Sequence, residues 1–91
     1  MNIKRYTIIF RALANNNRLK IIEILSRQNS KMNVGEISAY LSISFTSTSN
    51  HLAILKNLDV LETQGMEGHV FYSLNQSPPK DFKGIIALIL K

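Results

Sequence analysis

The stretch Val34-Gly35-Glu36-Ile37-Ser38-Ala39-Tyr40-Leu41-Ser42-Ile43-Ser44-Phe45-Thr46-Ser47-Thr48-Ser49-Asn50-His51-Leu52-Ala53-Ile54-Leu55 decides the fold. Asn33, just before it, stands three residues ahead of Glu36. In that layout the cap side chain and the glutamate satisfy each other's free backbone N–H groups at a helix start. Val34, Ile37 and Leu41 then share one face of a two-turn helix that ends near Ser42. Ile43 sits in a turn, and Ser44 is the next N-cap. The second helix runs to about residue 58, with Thr48, Leu52 and Leu55 inward and Thr46, Ser49, Asn50 and Ala53 outward. The spacing predicts two short helices meeting at a tight turn.

Downstream the apolar period changes from 3.6 to 2. Residues 60–64 and 69–74 read as strands, joined by Gly65-Met66-Glu67-Gly68 with two glycines free to take positive φ. Ser77-Pro78-Pro79 breaks the chain, and helical spacing resumes over 82–90. Upstream, residues 3–14 carry Ile3, Tyr6, Thr7, Phe10, Leu13 and Ala14 on helical spacing. The triplet Asn15-Asn16-Asn17 ends that helix and starts another over 18–28. There Leu19, Ile22 and Leu25 form the apolar seam with Ile21 beside it, while Lys20, Glu23 and Arg27 face out. Ser30-Lys31-Met32 is a short loop. Four helices, a hairpin and a last helix make a mainly α, α+β fold: a helix-turn-helix followed by a two-stranded wing. Residues 1–91 read as a single domain, with the helix-turn-helix at about 34–58 and the wing at about 60–74.

With 91 residues the core is thin. The chain has no cysteine, which excludes disulfide staples, thiolate metal sites and a cysteine nucleophile. A small domain without staples often gains stability by oligomerising. The N-terminus looks superficially like a secretory signal, but Arg11 interrupts its apolar run too early. The apolar run 85–90 is far shorter than the ~20 residues that span a bilayer. The expectation is a cytoplasmic protein with no membrane partner. A net charge of +5 favours a polyanionic partner. That charge is unevenly placed: residues 1–31 carry +6, residues 32–79 carry −3 and residues 80–91 carry +2. The basic surface comes from the ends of the chain, not from the helix-turn-helix.

The residues also carry a resemblance. Leu13-Ala14-Asn15-Asn16-Asn17-Arg18-Leu19-Lys20-Ile21-Ile22 resembles the L-A-D-P-T-R-x-x-I-L opening of the ArsR/SmtB winged-helix repressors. Residues 34–41 resemble that family's first motif helix. Residues 44–55 resemble its S-Q-S-T-V-S-x-H-L-x-x-L recognition helix. Gly68-His69-Val70-Phe71-Tyr72-Ser73-Leu74 is similar to G-R-x-x-Y-x-L in its second wing strand. The similarity covers roughly residues 10–75. It implies a dimeric DNA-binding repressor that pairs through its first and last helices, about 3–14 and 80–91. The implied interface is Ile3, Tyr6, Phe10, Phe82, Ile85, Ile86, Ile89 and Leu90, consistent with a last helix that is apolar on nearly every side and needs cover. Metal sensing is not implied. The thiolate box aligns with Met32-Asn33-Val34-Gly35, which holds no ligand, and the last helix has only Asp81 and no histidine. No metal and no cofactor are expected. The wing lacks the family's usual arginines.

By family position, Phe45, Thr46, Ser49 and Asn50 would face double-stranded DNA. Asn50 has the chemistry for a bidentate contact to adenine, and Phe45 for a thymine methyl. The hydroxyls of Thr46, Ser47 and Ser49 can donate to phosphate, helped by the helix dipole. Lys31 and Lys56 are candidate phosphate contacts, as are Arg18 and Lys20. Gln64 and His69 are candidate wing contacts. His51 reads as a packing or supporting residue. A run of Ser, Thr and Asn at a helix start also serves as plain capping, and a charged helix face is the default for any soluble helix. The competing function is a winged-helix module that binds protein instead of DNA, favoured by the negative middle of the chain. An RNA binder lacks an aromatic sheet face. An enzyme lacks a nameable acid–base pair, nucleophile or phosphate loop.

Overall fold

The computed structural model describes residues 1–27 and 31–91, so Gln28 of the expected second helix and Ser30 of the expected loop lie outside the described residues. The elements run α1 (Ile3–Leu13), α2 (Asn16–Ser26), α3 (Val34–Leu41), α4 (Phe45–Asn57), β1 (Leu61–Met66), β2 (His69–Leu74) and α5 (Lys80–Ile89). This is the winged helix-turn-helix architecture expected, with boundaries moved by one or two residues.

Each shift has a local cause. Asn15 is the N-cap of α2, and its side chain accepts from the Arg18 N–H at 3.1 Å. Asn16 and Asn17 are therefore drawn into the first turn, and α2 starts two residues early. The seam of α2 also differs: Ile21, Ile22 and Leu25 are buried, but Leu19 is 38% exposed. Arg18 turns inward instead. Strand β1 begins after Val60, whose N–H closes the end of α4 on the Leu55 carbonyl and whose carbonyl accepts from Asn75. The hairpin connection is two residues, Glu67 and Gly68, with φ of 51° and 79°. This matches the turn geometry whose twist suits paired strands. Gly65, expected to supply positive φ, stays in the strand opposite Val70, and Glu67 takes the left-handed position at a cost of about 1–2 kcal/mol.

Both halves of the Asn33–Glu36 capping box form, at 2.8 and 3.0 Å. Ser42 ends α3 in the left-handed region, φ 57°, and turns the chain sharply into Ser44, the N-cap of α4. The strands pair antiparallel from Leu61 opposite Leu74 to Met66 opposite His69. Met32 exchanges two backbone hydrogen bonds with Tyr72, 3.0 and 2.8 Å, and ties the lead-in of α3 to the wing.

One core gathers Ile9 from α1, Ile21, Ile22 and Leu25 from α2, Ile37 from α3, Leu52 and Leu55 from α4 and Phe82 from α5. A fully buried side chain of this kind stabilises by about 1.5–3 kcal/mol, so Ile37 and Leu41 suffice to seat the short α3. Phe82, expected at a dimer face, is wholly buried here: it is the anchor that fixes α5 to its own chain. Ile85, Ile86, Leu90 and Tyr6 are partly buried against the same core. Ile3, Phe10, Leu88 and Ile89 stay exposed.

Candidate nucleic-acid interface

The turn Ser42–Ser44 presents the first two turns of α4 to solvent. Ser44 Oγ accepts from the Ser47 N–H at 3.0 Å, which fixes the helix start. Thr48 is fully buried, and its hydroxyl donates to the Ser44 carbonyl at 2.9 Å. Below it Leu52 and Leu55 are buried. The inward face expected of this helix is the one observed.

The outward face is polar and largely uncommitted. Thr46 and Asn50 are exposed, and Ser47 and Ser49 are half-buried. Among the described residues, the side chains of Thr46, Ser49 and Asn50 bond to no other residue. Phe45 is 62% exposed beside them. A groove of about 520 Å³ runs between Phe45, the start of α3 at Asn33–Gly35, and wing residues Gly68, His69, Val70 and Tyr72. The structure thus brings Phe45 and His69, 24 residues apart, to one groove. It also joins Lys31 to the wing, where Nζ donates to Gln64 Oε1. Lys56 stands apart, at the far end of α4 and about 16 Å along the axis from Phe45.

The Arg18 side chain bonds within its own chain. Its Nε donates to His51 Nδ1 at 3.1 Å, and its Nη1 donates to the Ala12 carbonyl at 3.1 Å. His51 is accordingly a supporting residue, as its position suggested. Burial and then the neighbouring Arg18 guanidinium push its pKa below the ordinary histidine value. This link joins the end of α1, the start of α2 and the middle of α4. No local sequence signal marks it, since Arg18 and His51 are 33 residues apart. The wing offers phosphate little: Glu62 near its base and Glu67 at its tip are exposed, with Gln64 between them on β1. Among the described residues, no three histidine or acidic side chains gather where they could hold a metal. No helix there is long and apolar enough to cross a membrane.

The model for "Bacterial regulatory protein, arsR family" matches residues 15–63, which span α2, the helix-turn-helix and the start of the wing. The transcriptional repressor SdpR of Bacillus subtilis (strain 168) is 33% identical over 73 residues, 80% of this chain and 79% of the relative. The transcriptional activator HlyU of Vibrio cholerae is 32% identical over 79 residues, 87% of this chain and 71% of the relative. A solved structure of HlyU superposes with a TM-score of 0.76 at 30% identity, covering 98% of this chain and 94% of that one. The homodimeric winged helix-turn-helix DNA-binding domain of Mb0332 from Mycobacterium bovis shares the fold, with a TM-score of 0.75 at 23% identity over 96% of this chain and 76% of that one. The chain belongs to the arsR family of bacterial regulatory proteins.

Proposed function

We propose that the protein is a homodimeric, sequence-specific, double-stranded DNA-binding transcriptional regulator, repressor-like and without metal sensing or catalysis, acting in the cytoplasm. The observation that carries this reading is the capped start of α4, where Thr46, Ser49 and Asn50 have no side-chain partner among the described residues. A helix entering the major groove reads base edges with such short polar groups near its N-terminus. Phe45 is suited to a thymine methyl. Ser47 reaches for phosphate at the start of α4, Lys56 at its end, and Lys31, Gln64 and His69 from the side of the wing. Family membership supports the reading, with a named repressor and a named activator among the relatives.

Dimerisation rests on exposed apolar surface. Ile3 and Leu88 are 68% and 70% exposed, and Phe10 and Ile89 add to them. Tyr6 and Phe10 stack on one edge of α1, ring centres 6.2 Å apart. A second copy that covers this edge and the open side of α5 sets two reading heads about one DNA turn apart. The Mb0332 domain, of the same fold, is a homodimer.

The second reading is a protein-binding module. It is favoured by the acidic, arginine-poor wing and the net negative middle of the chain. Fluorescence anisotropy separates the two readings. The protein is titrated into a labelled duplex from upstream of its own gene and into a scrambled duplex, at two salt concentrations. The DNA reading expects preference for the native duplex, weakening with salt, and a loss of about 1–3 kcal/mol of discrimination in Asn50→Ala. Replacing Lys31 or Lys56 should lower the salt slope by about one each without changing preference. Equal, weak binding to both duplexes would favour the protein-binding module.

A further inference from the structure

A groove of about 340 Å³ opens between α1, the start of α2 and the C-terminal half of α4. Ile8, Ala12, Ile54 and Leu58 give it apolar walls, and Arg11 and Arg18 stand beside them. Among the described residues, no carboxylate lines the groove and neither arginine has an ion pair. Arg18 is half-buried, and its two side-chain hydrogen bonds go to neutral acceptors, His51 Nδ1 and the Ala12 carbonyl. A half-buried cation satisfied by neutral groups keeps its charge uncompensated in surroundings less polar than water, so it attracts an anion. Apolar walls beside two guanidiniums that make no ion pair among the described residues match an amphipathic anion. The volume lies at the small end of the range for small-molecule sites.

The groove stays open in the assembly proposed above. On α1, Ile8 is two residues from Phe10, so it lies about 160° round the helix from the dimer edge. On α4, Ile54 lies one turn beyond Asn50, toward the C-terminal end of the helix and away from the N-terminal turns that carry the reading residues.

We propose that this groove is an effector site for a small amphipathic carboxylate, whose charged end takes the Arg11 and Arg18 guanidiniums and frees His51. A carboxylate–guanidinium pair is charge-assisted and displaces a neutral imidazole acceptor. Arg18 is the strut between α4 and the end of α1, so its capture unties the reading helix from the dimerisation helix. The regulatory half of this proposal rests on the DNA-binding reading. The binding half does not.

Octanoate is the probe, titrated into the full chain without DNA while NMR follows the methyl groups of Ile8, Ile54 and Leu58 and the Arg18 Nε–H. Saturable shifts at these groups with a Kd below about 1 mM are expected. Arg11→Glu and Ile8→Glu, both at exposed positions, should each weaken binding about ten-fold or more while keeping the wild-type circular dichroism. Octylamine, with the same tail and the opposite charge, should not bind. Shifts that fail to saturate, that fall elsewhere, that survive both variants, or that octylamine reproduces would overturn the site. In a second arm, saturating octanoate should weaken binding to the preferred duplex about ten-fold, a typical allosteric coupling. Unchanged duplex affinity with octanoate bound would overturn the regulatory half. Absence of any duplex binding would overturn the DNA reading and that half with it, while the groove stands or falls on the methyl shifts.

Discussion

Arg5 and Asp81 clamp the first helix to the last across 76 residues of sequence: Nε donates to Oδ2 at 2.7 Å and Nη2 to Oδ1 at 3.3 Å. The guanidinium fork meets both carboxylate oxygens, a geometry that sets orientation as well as attraction. Asp81 also lies in the first turn of α5, where the helix dipole favours negative charge. The hydrogen bond from Arg5 is the main cause that holds the Asp81 carboxyl below its ordinary pKa, and the same bond raises that of Arg5. The pair fixes the angle between the two helices on which the proposed dimer face lies.

Asp81→Asn should therefore lower the melting temperature in a pH-dependent way. A carboxyl whose pKa is lower in the folded chain than in the unfolded one binds fewer protons when folded. Its stabilisation is present above the unfolded value of about 3.9 and is lost as pH falls through the lowered folded value. Thermal melts of wild type and variant should differ most near neutral pH and converge in acid. The pair is solvent-accessible, so added salt should shrink the gap. A gap that persists unchanged below pH ~2 would assign the effect to something other than this charge.

Ser44→Ala tests the start of the reading helix. The Ser44 hydroxyl is the side-chain cap of α4, accepting from the Ser47 N–H. Loss of such a cap costs about 0.5–2 kcal/mol. Urea unfolding should show a lower midpoint with an unchanged slope, because the cap removes no buried surface. The Thr48 hydroxyl still reaches the Ser44 carbonyl in this variant, so the fold should survive. An unchanged midpoint would mean that solvent caps the helix as well as the serine does.

The parts of this structure that sequence spells out are those with a local cause. The Asn33–Glu36 box, the Ser44 cap and the Thr48-Leu52-Leu55 face all depend on residues within one or two helical turns, and all form as their spacing implies. The errors arise where two local rules compete or where distance matters. Gly65 and Gly68 both suited a positive φ, but strand pairing carried through Met66 and left that conformation to Glu67 and Gly68. Leu19 fitted the α2 seam by hydrophobicity, but the helix start at Asn16 and the inward turn of Arg18 set a different face. Phe82 read as one apolar residue among many on α5, because nothing in the sequence of that helix says which residue the core of its own chain will take. The Arg5–Asp81 clamp and the Arg18–His51 link were illegible for a plainer reason: each joins residues that only the tertiary fold brings together.

Phe10→Glu and Leu88→Glu probe the dimer. Both side chains are more than half exposed in the single chain, so neither change should disturb its core. Each places a charge in a contact that the proposed dimer would bury, and an unpaired buried charge is strongly unfavourable. Size-exclusion chromatography with light scattering should give a 10.3 kDa species for the variants and twice that mass for the wild type. Far-ultraviolet circular dichroism should be unchanged. A wild-type chain that stays monomeric at all concentrations would remove the dimer face from the account.

His51→Gln isolates the link between Arg18 and the reading helix. Neutral His51 accepts from Arg18 through Nδ1, and protonation would remove that lone pair and set two cations together. Burial first, and the Arg18 charge second, lower the folded pKa of His51 below its unfolded value. The unfolded chain therefore binds more protons between the two values. The link's stabilisation is complete above pH ~6.5 and falls away as pH drops through the lowered folded value. Glutamine can keep an acceptor near Arg18 and does not titrate. Between pH ~7 and ~5.5, above the range where most carboxylates protonate, the melting temperature of the wild type should fall and that of His51→Gln should fall less. Parallel curves for the two proteins would show that protonation of His51 does not break the Arg18 link.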